Sequence, residues 1–210
     1  AVIQSCKEGL MGSFPGPNAR TIDDLKSWFE IIDTKLNQED APWAFNMITH
    51  ISYGRFDQEI KLVEEFKPKI VITALGGPHR VTQQVHAYGG LVFADVNSPS
   101  FARKAIDRGA DGLVLVCTGA GGHTGEYALM PFLDEVRSFF DGPIMVGGGI
   151  SNGRSIRAVE TLGVDFAYIG TRFLAAKETL ISDSYRQMVW ESKMEDLIQS
   201  RAITGALGNW

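Results

Sequence analysis

The sequence predicts a TIM-type (β/α)8 barrel that lacks its first strand in this chain and is followed by a C-terminal helical segment. Short runs rich in β-branched residues alternate with amphipathic stretches along the chain. The runs IVITAL, LVFADV, LVLVC and IMVG are apolar on both faces, which is typical of parallel strands covered by helices on one side and a barrel interior on the other. The predicted strands start about 21 to 33 residues apart, a spacing that suits strand–helix units.

Seven strands are predicted, whereas a closed barrel has eight. They are Leu10–Phe14, Trp43–Thr49, Lys69–Leu75, Gly90–Val96, Gly112–Cys117, Pro143–Gly148 and Phe166–Gly170. The chain opens on AVIQSCKEGL, which resembles the tail of a helix, so we expect the first strand upstream. An open doubly wound sheet is the alternative, but no GxGxxG fingerprint follows the first predicted strand.

Helix signals lie between the strands. Thr21 precedes IDDLKSWFEII with Asp24 three residues on, the pattern of a capping box. Ser98 is placed to cap the helix that opens on SPSFARKAI, and Gly109 follows that helix in the C′ position. No linker divides the chain. Residues 1–175 are predicted to form an N-terminally incomplete barrel, and residues 176–210 a truncated helical segment.

Composition excludes several classes of protein. Apolar residues make up 44% and charged residues 21%, and the net charge is −5, so neither disorder nor a generic nucleic-acid binder is indicated. No apolar run reaches the roughly 18 residues that would predict a membrane span. Cys6 and Cys117 are too few for a disulfide scaffold and predict buried, reduced thiols in a cytoplasmic protein. No HxH or HExxH motif is present, so we expect no catalytic metal.

Glycine-rich loops follow the last three predicted strands, where a barrel of this type builds its active site. Gly147, Gly148 and Gly149 precede a predicted helix, so their backbone N–H groups could bind a phosphate. Gly170 and Thr171 end the next strand and could add further donors. Tight turns alone would also account for single glycine loops, but two at this pair of strands favour a phosphate site.

His123 lies in the loop GAGGHTG, between glycines that would let a ligand approach the backbone. At this strand end we expect it to line the site, although a solvent-exposed loop histidine is the simpler alternative. His50 follows another strand end and is a weaker candidate, while His79 and His86 fall in a predicted amphipathic helix and are expected to be surface or packing residues.

The motifs VLVCTGAGGHTG and PIMVGGGISNGRSIRAVETLGVDFAYIGTRFLA, in this order, resemble the FMN-dependent nitronate monooxygenases, formerly called 2-nitropropane dioxygenases. The resemblance covers nearly the whole chain. It implies FMN as cofactor, His123 as catalytic base, and flavin contacts from residues at several strand ends. The implied contacts are Asn46, Gly121, Gly148, Tyr168, Ile169, Gly170 and Thr171, beside which Gly122, Gly147 and Gly149 complete the predicted cofactor site.

The implied reaction is the oxidation of alkyl nitronates, extended to nitroalkanes, by O₂ to a carbonyl compound and nitrite. The expected partners are this small substrate and O₂, without nucleic acid or membrane, and a homodimer is left open. Flavin-dependent enoyl-acyl-carrier-protein or NAD(P)H:quinone reductases use the same scaffold and are the nearest alternative. A non-catalytic barrel that binds a phosphate ligand is the second. The family's Ala-Pro-Met-like first-strand turn and the glutamine before its GGH loop have no match here.

Overall fold

The computed structural model describes residues 1–210 and contains a seven-stranded parallel sheet with the order β1-β2-β3-β4-β5-β7-β8. A second sheet has the order β6-β10-β9 and is antiparallel. The strands are β1 (Gly12–Pro15), β2 (Trp43–Ile48), β3 (Ile70–Ala74), β4 (Leu91–Val96), β5 (Gly112–Val116), β6 (Gly122–His123), β7 (Ile144–Gly147), β8 (Phe166–Tyr168), β9 (Gln199–Ser200) and β10 (Gly208–Asn209).

Nine α-helices and three 3₁₀ helices connect the strands. The α-helices are α1 (Val2–Lys7), α2 (Ile22–Lys35), α3 (Phe56–Phe66), α4 (Thr82–Ala87), α5 (Pro99–Asp107), α6 (Leu129–Arg137), α7 (Gly153–Thr161), α8 (Thr171–Leu174) and α9 (Asp183–Glu191). The 3₁₀ helices are Gly16–Asn18, Pro78–Arg80 and Met194–Asp196. None of the helices combines the length and apolar character needed to cross a bilayer.

The predicted fold is confirmed. All seven predicted strands are present in the main sheet, each within two residues of its predicted bounds. They run in chain order from β1 to β8, with only the short β6 outside the sheet, as successive strand–helix units of a TIM-type fold do. The chain also opens in a helix, α1, as expected.

The predicted helix ends are confirmed as well. Thr21 caps α2: its side chain accepts from the backbone N–H of Asp24 at 3.1 Å, and the Asp24 carboxylate accepts from the Thr21 backbone N–H at 3.1 Å. The Ser98 hydroxyl accepts from the Phe101 N–H at 3.3 Å at the start of α5. Gly109 follows α5 with φ +88°, a conformation that favours glycine.

Two predicted helical stretches differ in detail. The stretch PHRVTQQVHAYGG forms the 3₁₀ helix Pro78–Arg80 and then the separate helix α4, because the chain bends at Val81. Residues 176–210 contain α9, as predicted for a helical segment, but they also contribute strands β9 and β10. Because each of these strands has only two residues, no alternating pattern reveals them, and β10 also pairs with the distant strand β6.

The chain divides into two compact units, residues 1–95 with 103–112 and residues 96–102 with 113–210. The core of the first unit is aromatic, with Phe29 of α2 packed edge-on against Phe45 of β2 at 4.9 Å between ring centroids and Phe14 of β1 at 5.6 Å from Phe45. The predicted boundary between residues 175 and 176 stays a prediction. Cys6 and Cys117 are both free and buried, which confirms their expected burial.

Candidate active site

The three predicted glycine loops contact one another within the second unit. The N–H of Gly149 donates to the carbonyl oxygen of Gly119 at 3.0 Å, which joins the loop after β7 to the loop after β5. Gly147 is the register partner of Tyr168 in the β7–β8 pair. A Cβ at Gly121 would overlap the hydroxyl of Thr171, so the GGH loop lies directly against the start of α8. The structure therefore brings together nine of the ten predicted cofactor residues.

These loops offer open space beside their backbone. A Cβ built at Gly122, Gly149 or Gly170 meets no atom within 4 Å. Gly148 and Gly149 have φ values of +145° and +68°, which favour glycine, and at Gly148 a Cβ would also lie 3.1 Å from the Cβ of Cys117. Backbone without side chains beside open space is what a phosphate-binding loop needs, and the residues present fit such a group.

The two helices that start at these loops differ in how their first N–H groups are satisfied. At α7, the side chain of Asn152 accepts from Arg154 N and Ser155 N, and the Ser155 hydroxyl accepts from Ser151 N and Asn152 N. At α8, Gly170 has no side chain to cap the helix. The first N–H groups of α8 are therefore not engaged by a capping side chain, whereas four N–H groups around the start of α7 are.

His123 is exposed in β6, and its partners come from the end of the chain. Its Nε2 lies 2.9 Å from the hydroxyl oxygen of Thr204. The ring of Trp210 stands nearly perpendicular to the imidazole at 6.1 Å between centroids. His123 is also the register partner of Gly208 in the β6–β10 pair. The predicted base is thus held by the C-terminal hairpin, which we define as residues 198–210.

Asn46, the tenth predicted cofactor residue, lies in β2 of the first unit. Its side chain is buried, and its Nδ2 donates to Oδ2 of Asp95 at the end of β4, at 3.4 Å. The other carboxylate oxygen of Asp95, Oδ1, is buried without a hydrogen-bond partner. Burial raises the pKa of Asp95 from 3.8 to about 7, and the hydrogen bond from Asn46 opposes part of that rise.

Asp95 has no predicted role from the sequence. The available signal was a carboxylate inside the apolar run LVFADV, where a charge is costly unless it is paired or neutral. At the end of a parallel strand such a group is a candidate for function. His50, by contrast, is exposed and bonds locally to the Ser52 hydroxyl at 2.7 Å, and His86 pairs with Asp111 at 2.8 Å.

A second buried carboxylate, which the sequence also did not predict, makes contacts that stabilise the loops after β1 and β2. Glu59 of α3 is fully buried, accepts a hydrogen bond from the Tyr53 hydroxyl at 2.7 Å and pairs with Arg55 at 3.2 Å. Burial raises its pKa, while Tyr53 and Arg55 act to lower it. Arg55 also donates to the carbonyl oxygen of Ala19 at 2.7 Å, so this cluster joins the chain after β1 to the start of α3.

The raised pKa of Asp95 predicts a pH-dependent stability. In the unfolded chain this carboxyl ionises near pH 3.8, whereas in the folded protein it keeps its proton until about pH 7. The folded state therefore binds more protons between these values, so this contribution to the free energy of unfolding is present below pH 3.8 and is lost as the pH rises to about 7. The free energies of unfolding of wild type and Asp95→Asn, measured with urea across this range, should converge at low pH. At high pH the variant should gain stability relative to wild type.

The control for this prediction is Asp23→Asn, which removes one exposed carboxylate from α2. A difference between wild type and Asp95→Asn that stays constant with pH would contradict the assignment of a neutral buried carboxyl to Asp95.

Comparison with known proteins identifies the family. The model of the nitronate monooxygenase family matches residues 17–207. The chain belongs to the nitronate monooxygenase family. A nitronate monooxygenase from Neurospora crassa is 31% identical over 129 residues, which are 57% of this chain and 34% of that protein. The family resemblance predicted from the GGH, GGG and IGTR motifs is thereby confirmed.

Other similar proteins carry different names. A (3aS,4S,5R,7aS)-5-hydroxy-7a-methyl-1-oxo-octahydro-1H-indene-4-carboxyl-CoA dehydrogenase from Rhodococcus jostii is 26% identical over 166 residues, 79% of this chain and 46% of that protein. The structure of FabK from Thermotoga maritima superposes with a TM-score of 0.88 at 25% identity, covering 99% of this chain and 65% of that one. The chain spans about half or less of the length of most curated relatives it matches.

Proposed function

We propose that this chain forms the flavin-binding part of an oxidoreductase that converts alkyl nitronates, with O₂, to a carbonyl compound and nitrite. The observation that carries the proposal is the convergence of the GGH, GGG and Gly170-Thr171 loops around open backbone, in a chain of the nitronate monooxygenase family. The substrates are a small nitro compound and O₂. The cofactor is FMN, which would supply the redox chemistry when bound.

The glycine loops would hold the phosphate end of the cofactor. Gly148 and Gly149 supply backbone without side chains, and Gly170 and Thr171 would add further backbone N–H donors. The glycine loops form a single phosphate site. FMN has one terminal phosphate, which suits such a site, so we expect FMN and not FAD. Asn46 keeps its predicted role as a flavin contact, and Gly121, Gly122, Gly147, Tyr168 and Ile169 keep theirs.

His123 would act on the substrate and not on the cofactor. A neutral nitroalkane must lose its α-proton to become a nitronate, and a neutral imidazole can accept that proton. His123 is exposed beside the glycine loops, within reach of a small molecule entering from solvent. Glycines on both sides of the GGH loop leave room for the substrate to approach the ring.

Two measurements test the proposal. Heat release of the cofactor followed by chromatography should recover FMN, and recovery of FAD or of no flavin would refute the cofactor assignment. Oxygen uptake with an alkyl nitronate should be matched by nitrite release. Nitrite without oxygen uptake, or neither, would refute the reaction.

A reductase is the second candidate, and similarity to other enzymes favours it. FabK from Thermotoga maritima is a close structural match, and a dehydrogenase that acts on a carboxyl-CoA compound is among the relatives. In that case NAD(P)H would be the reductant and the substrate would be an enoyl thioester or a quinone. Flavin bleaching by NAD(P)H under anaerobic conditions would favour this alternative.

A further inference from the structure

The C-terminal hairpin holds Thr204 against His123, although the two residues are 81 positions apart. Strand pairing and two hydrogen bonds tie the hairpin to the GGH loop. Gly208 and His123 pair across β10 and β6, the Asn209 side chain donates to the carbonyl oxygen of Ala120 at 2.8 Å, and Thr124 N donates to Leu207 O at 3.0 Å. The GGH loop and the hairpin are therefore hydrogen-bonded to each other beside the His123–Thr204 contact, and these bonds position the Thr204 hydroxyl.

The turn that carries Thr204 is itself closed. Gly205 has φ +82°, and its N–H donates to the carbonyl oxygen of Arg201 at 2.9 Å. The Arg201 side chain pairs with Glu126, four residues from Gly122 in the chain, at 2.9 Å between exposed groups. The Trp210 backbone exchanges hydrogen bonds with Ile198 at 2.9 and 2.8 Å, which extends the hairpin to its end.

Counting hydrogen-bond partners favours His123 as the donor at the His123–Thr204 contact, because only that arrangement engages both neighbours of the hydroxyl. The Thr204 hydroxyl has one hydrogen, and its other neighbour is the carbonyl oxygen of Ala206 at 3.5 Å, which can only accept. With that hydrogen directed to Ala206, the hydroxyl oxygen accepts from Nε2–H of His123 across 2.9 Å. The lone pair of the neutral imidazole is then on Nδ1.

We propose that Thr204 is a positioning residue for His123: it holds the imidazole in the Nε2–H tautomer and leaves Nδ1 as the nitrogen that accepts the substrate proton. This inference rests on the proposed function. In the step, the Cα–H bond of the nitroalkane breaks, its electron pair stays on the nitronate, and a new N–H bond forms at Nδ1. The bond from Nε2–H to Thr204 persists and strengthens when the ring becomes charged.

Two substitutions separate the hydroxyl from the shape of the side chain. Thr204→Val removes the hydroxyl and keeps the branched shape, while Thr204→Ser keeps the hydroxyl. Nitrogen NMR of the imidazole in the flavin-bound protein reports the tautomer directly, and His123→Asn assigns the signal among the four histidines. We expect the Nε2–H form in wild type and Thr204→Ser, and a tautomer mixture in Thr204→Val.

Kinetics supply the second readout. With a neutral nitroalkane, Thr204→Val should lower kcat by about 5- to 10-fold with little change in KM, the size expected for loss of one hydrogen bond. Thr204→Ser should restore kcat, and turnover of the pre-formed nitronate should stay at the wild-type level in both variants. A wild-type tautomer in Thr204→Val, or equal losses with both substrate forms, would overturn the positioning role.

The two proposals fail in different ways. If wild type turns over neither nitroalkane nor nitronate, the proposed function is refuted, and the nitrogen spectra alone decide the contact. In that case loss of the Nε2–H form in Thr204→Val would support the inference that Thr204 holds His123 in this tautomer. An unchanged spectrum would overturn that inference.

Discussion

Replacement of His123 by asparagine should lower turnover of a neutral nitroalkane by about 10²- to 10⁴-fold, which is the rate acceleration that general-base catalysis usually contributes. Turnover of the pre-formed nitronate should change little, because that substrate has already lost its proton. Asparagine keeps polarity and approximate size, so the exposed β6 position should tolerate it. Oxygen uptake with both substrate forms measures the two rates.

Two outcomes would contradict the role of His123 as base. Equal losses with nitroalkane and nitronate would make it a binding or orienting residue. No loss with either form would remove His123 from the catalytic site. The Thr204→Val variant, which leaves the imidazole in place, is the matched control because it should show a much smaller loss.

Gly170→Asp should weaken flavin binding by about 10²-fold or more, because a carboxylate near the phosphate adds repulsion between like charges in a partly shielded site. Gly170 is suited to this test: its φ of −112° suits any residue, and a Cβ there meets no atom within 4 Å. Gly170→Ala is the matched control and should keep its flavin. The ratio of flavin to protein after gel filtration and a dissociation constant from ultrafiltration measure the effect.

An aspartate variant with as much flavin as the alanine variant would mean that the phosphate binds elsewhere. Gly148→Asp is expected to have the same direction of effect, but its interpretation is less direct. The φ of +145° at Gly148 makes any side chain strained, and a Cβ would lie 3.1 Å from both Cys117 Cβ and the Thr118 carbonyl oxygen. Loss of flavin there could reflect a distorted loop as well as charge repulsion.

The sequence was most informative where the chemistry is local. Apolar runs such as IVITAL bury both faces and therefore identify strands, and the capping box of Thr21 and Asp24 depends on two residues three positions apart. The glycine loops were also predictable, because their position after successive strands places them on one edge of the sheet. Their contacts through Gly149 and Thr171 agree with that expectation, while their role in flavin binding stays a prediction.

Long-range pairing explains what the sequence could not predict. The strands β6, β9 and β10 have two residues each, so they carry no alternating pattern, and β6 exists through its pairing with β10, about 85 residues away. The partner of His123 was hidden for the same reason. Asp95 was overlooked because its importance comes from burial and from the bond to Asn46, 49 positions away, neither of which composition reveals.

Anaerobic stopped-flow mixing of the flavin-bound protein with an alkyl nitronate, and separately with NAD(P)H, tests the central claim most directly. The proposed reaction predicts rapid loss of oxidised-flavin absorbance with the nitronate and no comparable change with NADH or NADPH. Bleaching by a nicotinamide with no response to the nitronate would contradict the account and assign the site to a reductase.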